Sequence, residues 1–197
     1  MKLLRAFIAV EIPPEIRKAI ESERAPLREA LNKSLVRWVP TGNMHLTLKF
    51  LGDVSPANVE MLSQMLSLEA GQHPAFEIQF GGLGVFPSPR RPRVIWIGIQ
   101  APAELEALQR GIEAATAKLG YPVEKRPFSP HLTIGRIKQQ AGATGMQEIQ
   151  TALDETKVGP LGIAPVTAVH LIKSDLKPTG AVYTRLHSAP LGTEVSP

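Results

Sequence analysis

Two short stretches of this chain repeat each other: NMHLTLKFLG at residues 43–52 and FSPHLTIGRI at residues 128–137. Each contains the pattern His-Leu-Thr followed by Leu or Ile, and the two histidines are 86 positions apart. The alternation of polar and apolar side chains predicts a strand in each stretch. We interpret the repeat as a diverged duplication that produced two related lobes packed side by side.

The segments around the two motifs alternate between strand-like and helix-like patterns. Helices are predicted at residues 13–33, 55–71, 101–120 and 143–156, and further strands at 3–12, 36–39, 75–86, 93–99, 166–176 and 181–190. Because helices and paired strands are mixed along the chain, an α+β fold is expected. The chain shows no long polar linker, so one bilobal domain is predicted over residues 1–188, with a disordered tail at 189–197.

Composition limits the classes of protein to which the chain can belong. It contains no cysteine, which excludes disulfides and thiolate metal sites. The absence of cysteine is also compatible with a location in the reducing cytoplasm. The start carries no secretory signal, and no apolar run approaches the ~20 residues of a membrane span, so a soluble cytoplasmic protein is expected. A net charge of +4 favours polyanionic partners such as nucleic acid without requiring one.

Strand geometry places the polar residues of each motif together. Side chains two apart share one face, so His45 projects with Thr47, and His131 projects with Thr133. The apolar residues between and after them point to the opposite face, where they can anchor the strand in a core. The two copies can therefore be the two halves of one site in a shared groove.

Two imidazoles facing each other suit the cleavage of a phosphodiester. With an ordinary pKa near 6.5, one imidazole can accept a proton from water while the other protonates the departing ribose oxygen. The hydroxyls of Thr47 and Thr133 can donate hydrogen bonds to the phosphate oxygens. Arg136, three residues after Thr133 and beyond Gly135, is the candidate cation for the same phosphate.

A metal site and a purely structural role are the competing interpretations of these histidines. A metal held by two histidines would need further carboxylate or imidazole ligands, and no such cluster lies near either motif in the sequence. We therefore expect neither a metal nor a cofactor. A single strand histidine is more often structural than catalytic, and His170, which lacks the accompanying threonine, is assigned that structural role.

Five stretches of the chain together resemble the 2H phosphoesterases, and among them the RNA 2′,3′-cyclic phosphodiesterases also called 2′-5′ RNA ligases. These stretches are RAFIAVEIP, HLTLKFLGDV, GLGVFPSPRRPRVIWIGI, FSPHLTIGRI and LIKSDLKPTGAVYTRL. The resemblance implies two antiparallel sheets related by a pseudo-twofold axis, with helices outside and a central cleft. It also implies that His45 is the proton donor, that His131 is the proton acceptor, and that Thr47 and Thr133 bind the phosphate. The product would be a 2′-phosphomonoester, and the reverse reaction would be ATP-independent 2′-5′ ligation.

Substrate contacts outside the two motifs are predicted from side-chain chemistry. Arg5, Phe7, Trp38 and Tyr183 could meet the terminal base or ribose, since aromatic stacking holds single-stranded ends regardless of sequence. Arg93 lies in the basic run PSPRRPR, which could guide an RNA backbone. Two alternative functions remain: an RNA-end binding module with little turnover, and a cyclic phosphodiesterase that acts on a small nucleotide. A monomer is expected.

Overall fold

The computed structural model describes residues 2–31, 34–178 and 180–192 of the chain. Over these ranges the chain forms nine strands and four α-helices. In chain order they are β1 (Leu4–Glu11), α1 (Pro14–Ala30), β2 (Val36–Trp38), β3 (His45–Val54), α2 (Val59–Ala70), β4 (Phe76–Phe86), β5 (Val94–Gln100), α3 (Ala103–Lys118), β6 (His131–Ile137), α4 (Gly142–Glu155), β7 (Pro160–Val166), β8 (Ala168–Lys177) and β9 (Gly180–Pro190). Short 3₁₀ turns at Thr41–Asn43 and Pro56–Asn58 precede β3 and α2.

The strands form two antiparallel sheets. Sheet A has the order β3-β1-β8-β9, and sheet B has the order β2-β6-β5-β4-β7. Helix α2 packs on β8 and β9 and helix α3 on β3, whereas α1 packs on β7 and against α4. Strand β3 of sheet A lies against β6 of sheet B. The predicted α+β fold, with two antiparallel sheets and four helices packed on them, is confirmed.

The two lobes are not successive halves of the chain. Sheet A joins β1 and β3 from the beginning to β8 and β9 from the end, while sheet B contains β2, which lies between β1 and β3 in the chain, and β4 to β7. Strand β1 pairs with β3 on one side and with β8 on the other. Both rows of backbone N–H and C=O groups on β1 are thereby satisfied, as a central strand requires. The chain must therefore cross between the lobes more than once.

Strand β7 is absent from the sequence-based prediction. Its sequence, PLGIAPV, contains two prolines, which lack the N–H that a central strand needs. In the structure β7 is the edge strand of sheet B and pairs only with β4 among the described strands. Proline is tolerated at such an edge because one side of the backbone has no strand partner. Pairing with β4 therefore outweighed the low strand propensity of the two prolines.

The folded part of the chain extends past the predicted domain end at residue 188. Strand β9 continues to Pro190, and Ala189 is fully buried. The N–H of Leu191 donates to the carbonyl of Thr167 (2.8 Å), and that of Gly192 donates to the carbonyl of His73 (2.8 Å). Residues 189–192 thus belong to the domain rather than to the predicted tail. The rest of that prediction, residues 193–197, lies outside the described residues.

Apolar side chains anchor the two motif strands in the core. Leu132 and Ile134 of β6 are fully buried, and the corresponding leucines of β3 are buried as well. The motif histidines and threonines on the opposite face are only partly buried. The alternation predicted from the sequence is present in both strands. We call the face that carries these histidines and threonines the cleft face of each sheet.

A buried arginine connects the segment before β3 with strand β6. Arg24 of α1 is 4% exposed, and its Nη1 donates hydrogen bonds to the carbonyl oxygens of Val39 (2.7 Å) and Ile134 (3.3 Å). Its remaining guanidinium nitrogens pair with Glu21, so the buried charge is compensated. Val39 belongs to the segment that leads into β3, and Ile134 lies next to Thr133. Arg24 therefore links the approach to one motif with the strand of the other.

A buried lysine supports β3 in a similar way. Lys49, 3% exposed, pairs with Glu113 of α3 and donates a hydrogen bond to the carbonyl of Pro122. Glu113 also accepts the backbone N–H of Glu124 (2.8 Å). Both Pro122 and Glu124 lie in the segment that leads from α3 to His131. The Lys49–Glu113 pair therefore holds β3 to the segment that introduces the second motif.

Replacing Lys49 by Met is expected to lower the free energy of unfolding by about 3 kcal/mol, because Glu113 would remain largely buried without its cation. The double variant Lys49→Met/Glu113→Gln is expected to recover more than half of this loss, because it removes both charges. Chemical denaturation of the wild type, the two single variants and the double variant measures the coupling. A double variant as unstable as the sum of the single variants would contradict the assignment.

Candidate active site

The two motif histidines occupy equivalent positions and make equivalent hydrogen bonds. His45 is the first residue of β3, and His131 is the first residue of β6. The Nδ1 of His45 donates to the carbonyl oxygen of Asn43 (2.9 Å), and the Nδ1 of His131 donates to that of Ser129 (2.7 Å). A carbonyl can only accept, so the proton is on Nδ1 in both neutral rings. Each Nε2 is therefore available to exchange a proton with a ligand.

A register shift in β6 brings Arg136 to the cleft face. Trp96 of β5 pairs with Thr133, but the next pair is Ile95 with Gly135, so β6 contains one extra residue at this point. Simple alternation would have pointed Arg136 into the core. After the shift Gly135 is buried and Arg136 is exposed. An irregularity of this kind re-aims side chains at sites and strand edges, and here it adds a cation to the row of polar motif residues.

Aromatic rings enclose the His45 imidazole on two sides. Phe7 of β1 stacks on it, with ring centroids 4.5 Å apart and an interplanar angle of 24°. Tyr183 of β9 meets it edge-on at 5.1 Å. Phe7 is 4% exposed and packs against the imidazole. It therefore leaves little surface for the contact with substrate that was predicted for it. The stacking restricts the ring to one orientation.

Two aromatic residues that were not predicted as site residues, Phe86 and Trp96, lie next to His131. Phe86 meets the imidazole edge-on at 4.9 Å, and the Trp96 ring lies 6.3 Å away. Trp96 lies flat over Gly84, where an added Cβ would come within 2.2 Å of the indole. Trp96 could have been found from the alternation of VIWIGI, which places it on one face of β5. Its pairing with Thr133 became visible only in the structure.

Burial and nearby arginines favour the neutral form of both imidazoles. Burial is the main reason that the pKa of His45 is lowered to about 4, and the charges of Arg136 and Arg17 lower it further against the opposing hydrogen bond to Asn43. Burial also lowers the pKa of His131, and Arg136 again contributes. One guanidinium thus acts on both imidazoles, so Arg136 lies near both motifs.

Arginines from both sheets lie close enough to Tyr183 for their charges to affect its pKa. Burial raises the pKa of the Tyr183 hydroxyl, while the positive charges of Arg136, Arg37 and Arg5 oppose that rise. Arg5 belongs to β1 of sheet A, and the other two arginines belong to sheet B. The structure therefore brings the predicted residues Arg5, Tyr183 and Arg136 into one region. Arg37 joins them without having been predicted.

Arg37 and Arg136 occupy directly paired positions of β2 and β6. Like charges in such a pair repel each other and destabilise the sheet. Both side chains are exposed, and neither forms an ion pair with an acidic residue in the described part of the chain. An anion bound between the two guanidinium groups would relieve this repulsion. The pair was not recognisable in the sequence because the register of β2 against β6 was unknown.

The two remaining predicted substrate contacts are Trp38, which lies on the helix side of sheet B, and Arg93, which lies just before β5. Trp38 packs against Gly135, where an added Cβ would lie 3.1 Å from its ring, and it lines a groove of about 640 Å³ with Arg28 of α1. This is the helix side of sheet B, so Trp38 is not on the cleft face as the prediction required. Arg93 is exposed just before β5, and its N–H donates to the carbonyl of Phe86 (2.7 Å).

Within residues 2–31, 34–178 and 180–192, no three His, Asp or Glu side chains lie close enough to hold a metal ion. Over the same ranges, no helix is both long enough and apolar enough to cross a membrane.

The two threonines of the motifs, Thr47 and Thr133, are partly buried on the cleft face beside the imidazoles. The donors around the site are therefore hydroxyl, imidazole and guanidinium groups, which suit an oxyanion.

Acidification is expected to destabilise the protein between about pH 6.5 and pH 4. The folded state holds His45 neutral down to a pKa of about 4, whereas the unfolded chain protonates it near 6.5, so the unfolded state binds more protons in this window. The stability is thus present above pH 6.5 and is lost as pH falls. Urea denaturation should show a loss on the order of 2 kcal/mol from this group between pH 7 and 4.5, with a shallower slope in His45→Gln. An unchanged slope would contradict the buried neutral imidazole.

Comparison with known proteins agrees with this arrangement. The family described as LigT like Phosphoesterase matches residues 10–96 and again residues 97–183, so that each match contains one motif. The chain is 33% identical to an RNA 2′,3′-cyclic phosphodiesterase of Methanothermobacter thermautotrophicus over 92% of this chain and 95% of that protein.

Solved structures share the whole fold. The protein TT0787 of Thermus thermophilus superposes with a TM-score of 0.81 at 28% identity, covering 97% of this chain and all of that one. E. coli LigT complexed with 3′-AMP superposes with a TM-score of 0.72 at 30% identity, covering 96% and 98% of the two chains. With a duplicated family match, full-length relatives and the paired motif strands, the chain belongs to the LigT-like phosphoesterases.

Proposed function

We propose that this protein hydrolyses the 2′,3′-cyclic phosphate at RNA ends to a 2′-phosphomonoester by paired-histidine acid and base catalysis, without a metal ion. The observation that carries the proposal is the equivalent pair His45 and His131, each with Nδ1 bonded to a carbonyl and both within the field of Arg136. The curated relative of M. thermautotrophicus is named for this activity, and E. coli LigT binds 3′-AMP.

In this proposal His131 is the base. Its Nδ1 proton is held by Ser129, and its Nε2 accepts a proton from water as the water oxygen attacks phosphorus. The lowered pKa of His131 keeps the ring neutral at pH 7, which is the form a base requires. The P–O2′ bond remains intact throughout, so the phosphate stays on the 2′ oxygen.

His45 is the acid, and it donates its Nε2 proton to O3′ as the P–O3′ bond breaks. The ring must be protonated for this step, although burial favours the neutral form in the free protein. The negative charge of a bound phosphate favours imidazolium next to it. At the end of the reaction His45 is neutral and His131 carries the proton taken from water, so one proton transfer through solvent restores the starting state.

Binding of an anion is therefore expected to raise the pKa of His45 and to take up a proton. Titration calorimetry with inorganic phosphate or a 2′-nucleotide near pH 6, in buffers of different ionisation enthalpy, measures the protons bound. The His45→Gln variant should take up fewer. A proton exchange in His45→Gln equal to that of the wild type would contradict the role of His45 as the acid, because any proton lost by the ligand is common to both proteins.

The remaining cleft groups hold the phosphate and the RNA. Thr47 and Thr133 donate their hydroxyl hydrogens to the non-bridging oxygens, and Arg136 compensates the charge that develops on them. Arg5 and Tyr183 contact the nucleotide that carries the phosphate. The same groups would catalyse the reverse reaction, which joins a 2′,3′-cyclic end to a 5′-hydroxyl as a 2′-5′ linkage without ATP. A monomer in the cytoplasm is part of the proposal.

Incubation of the protein with a cyclic-ended oligonucleotide in excess EDTA tests the function directly. The expected product is a 2′-phosphate, identified by ³¹P NMR and by comparison with synthetic 2′- and 3′-phosphate standards. A 3′-phosphate product, or loss of activity on chelation, would overturn the mechanism. Binding without turnover would instead favour an RNA-end binding module. Equal turnover of a cyclic mononucleotide at all salt concentrations would favour a small-nucleotide enzyme.

A further inference from the structure

Phe50 in β3 occupies the position that Arg136 occupies in β6. Each residue lies five positions after its motif histidine. In both strands the register shifts by one residue just after the motif threonine, so the fourth position is buried and the fifth is exposed. The duplicated architecture therefore presents a cation at one of two equivalent positions and an aromatic ring at the other.

The Phe50 ring extends an aromatic row that begins at the imidazole. Its centroid is 6.2 Å from the Phe7 ring, and the Phe7 ring is 4.5 Å from His45. Phe7 is buried, whereas Phe50 is 65% exposed. The outer member of the row thus faces solvent one ring away from the catalytic imidazole.

Exposure alone does not mark a binding residue, because single exposed apolar side chains are common on protein surfaces. Leu68 is 73% exposed although its helix, α2, packs in the main core and not on the face of sheet A that carries Phe7. Phe50 differs in two respects. It is the only aromatic residue among the large apolar side chains that are exposed in the described part of the chain, and it is on the cleft face beside the motif.

We propose that Phe50 stacks on the base of the nucleotide that carries the cyclic phosphate. This inference rests on the proposed function, in which His45 protonates O3′ and so meets the ribose of that nucleotide from sheet A. The base attached to this ribose then lies over the exposed ring beyond Phe7. Arg136, at the equivalent position in sheet B, faces the phosphate. The two positions would give the cleft its direction: base toward sheet A and attacking water toward sheet B.

Stacking of this kind requires an aromatic base but reads no particular one, because every base has a π face. Phe50 is far enough from the reacting atoms that its contact should be the same in the ground state and the transition state. Its loss should therefore raise KM and leave kcat nearly unchanged. From the usual strength of base–aromatic stacking, the expected rise in KM is about 10-fold or more.

The test compares Phe50→Leu, Phe50→Trp and the matched control Leu68→Ala on two substrates. One is an oligonucleotide with a 2′,3′-cyclic phosphate end, and the other is the same oligonucleotide with an abasic terminal ribose. Phe50→Leu is expected to raise KM for the first substrate and not for the second, Phe50→Trp to keep wild-type KM, and Leu68→Ala to change neither. Equal effects on both substrates, or none, would overturn the proposal.

A binding measurement separates this inference from the proposed function. An oligonucleotide ending in 2-aminopurine ribose 2′-phosphate cannot be turned over, and its fluorescence is quenched on stacking. Quenching by the wild type and by Phe50→Trp, but not by Phe50→Leu, would support the assignment even if cyclic ends were not hydrolysed. Equal quenching by all three proteins would overturn it even if they were.

Discussion

Replacing His45 by Ala is expected to lower kcat for a cyclic-ended oligonucleotide by about 10²- to 10⁴-fold, and replacing His131 by Ala is expected to do the same. The two imidazoles hold equivalent positions at the start of β3 and β6, and each has its Nδ1 occupied by a carbonyl. The loss in each case is that of a positioned proton donor or acceptor. Steady-state kinetics at saturating substrate measures it. A double variant that retained most of the activity would refute the paired role.

A sulfur substitution distinguishes the acid from the base. In a cyclic substrate whose 3′ oxygen is replaced by sulfur, the departing thiolate needs no proton. His45→Ala should then recover most of its lost rate, whereas His131→Ala should remain slow because water still has to be deprotonated. The opposite pattern would exchange the two roles. Recovery in neither variant would mean that His45 contributes something other than a proton to O3′.

Replacing Arg136 by Gln is expected to lower kcat by about 10²- to 10³-fold, the usual effect of removing one group that stabilises an oxyanion. The register shift in β6 puts Arg136 on the cleft face, where its charge acts on both imidazoles and on Tyr183. Arg110→Gln, at an exposed arginine of helix α3, is the matched control and should have a small effect. Equal losses in the two variants would indicate a general effect of surface charge.

The same Arg136→Gln variant has a second expected result that does not depend on activity. Because the guanidinium lowers the pKa of both His45 and His131, its removal should raise both values in the free protein. NMR titration of the imidazole resonances measures this, with Arg110→Gln again as the control. A rise at only one histidine would show that Arg136 does not lie between the two motifs.

Much of the site could be predicted from the sequence because it depends on local geometry. Alternation in a strand places His45 with Thr47 on one face, and the copy at His131 repeats the arrangement. The buried leucines behind them follow from the same alternation. Because these relations hold within a few residues of one strand, they do not depend on which strands become neighbours.

Relations between strands could not be predicted, because they depend on pairing and register. Arg37 faces Arg136 only through the pairing of β2 with β6, and Trp96 meets Thr133 only through the pairing of β5 with β6. The packing of Phe7 and Trp38, both predicted substrate contacts, also could not be read from the sequence. The first is buried under an imidazole, and the second packs on the helix side of sheet B.

The sequence by itself determined the α+β class, the two motif strands and the residue types that can move protons and hold a phosphate. Only the tertiary structure decided that the end strands of the chain share one sheet, that a proline-rich segment forms an edge strand, and that Phe50 and Arg136 face the cleft. The physical reason is that side-chain alternation is local, whereas register shifts and strand partners arise from packing between segments far apart in the chain.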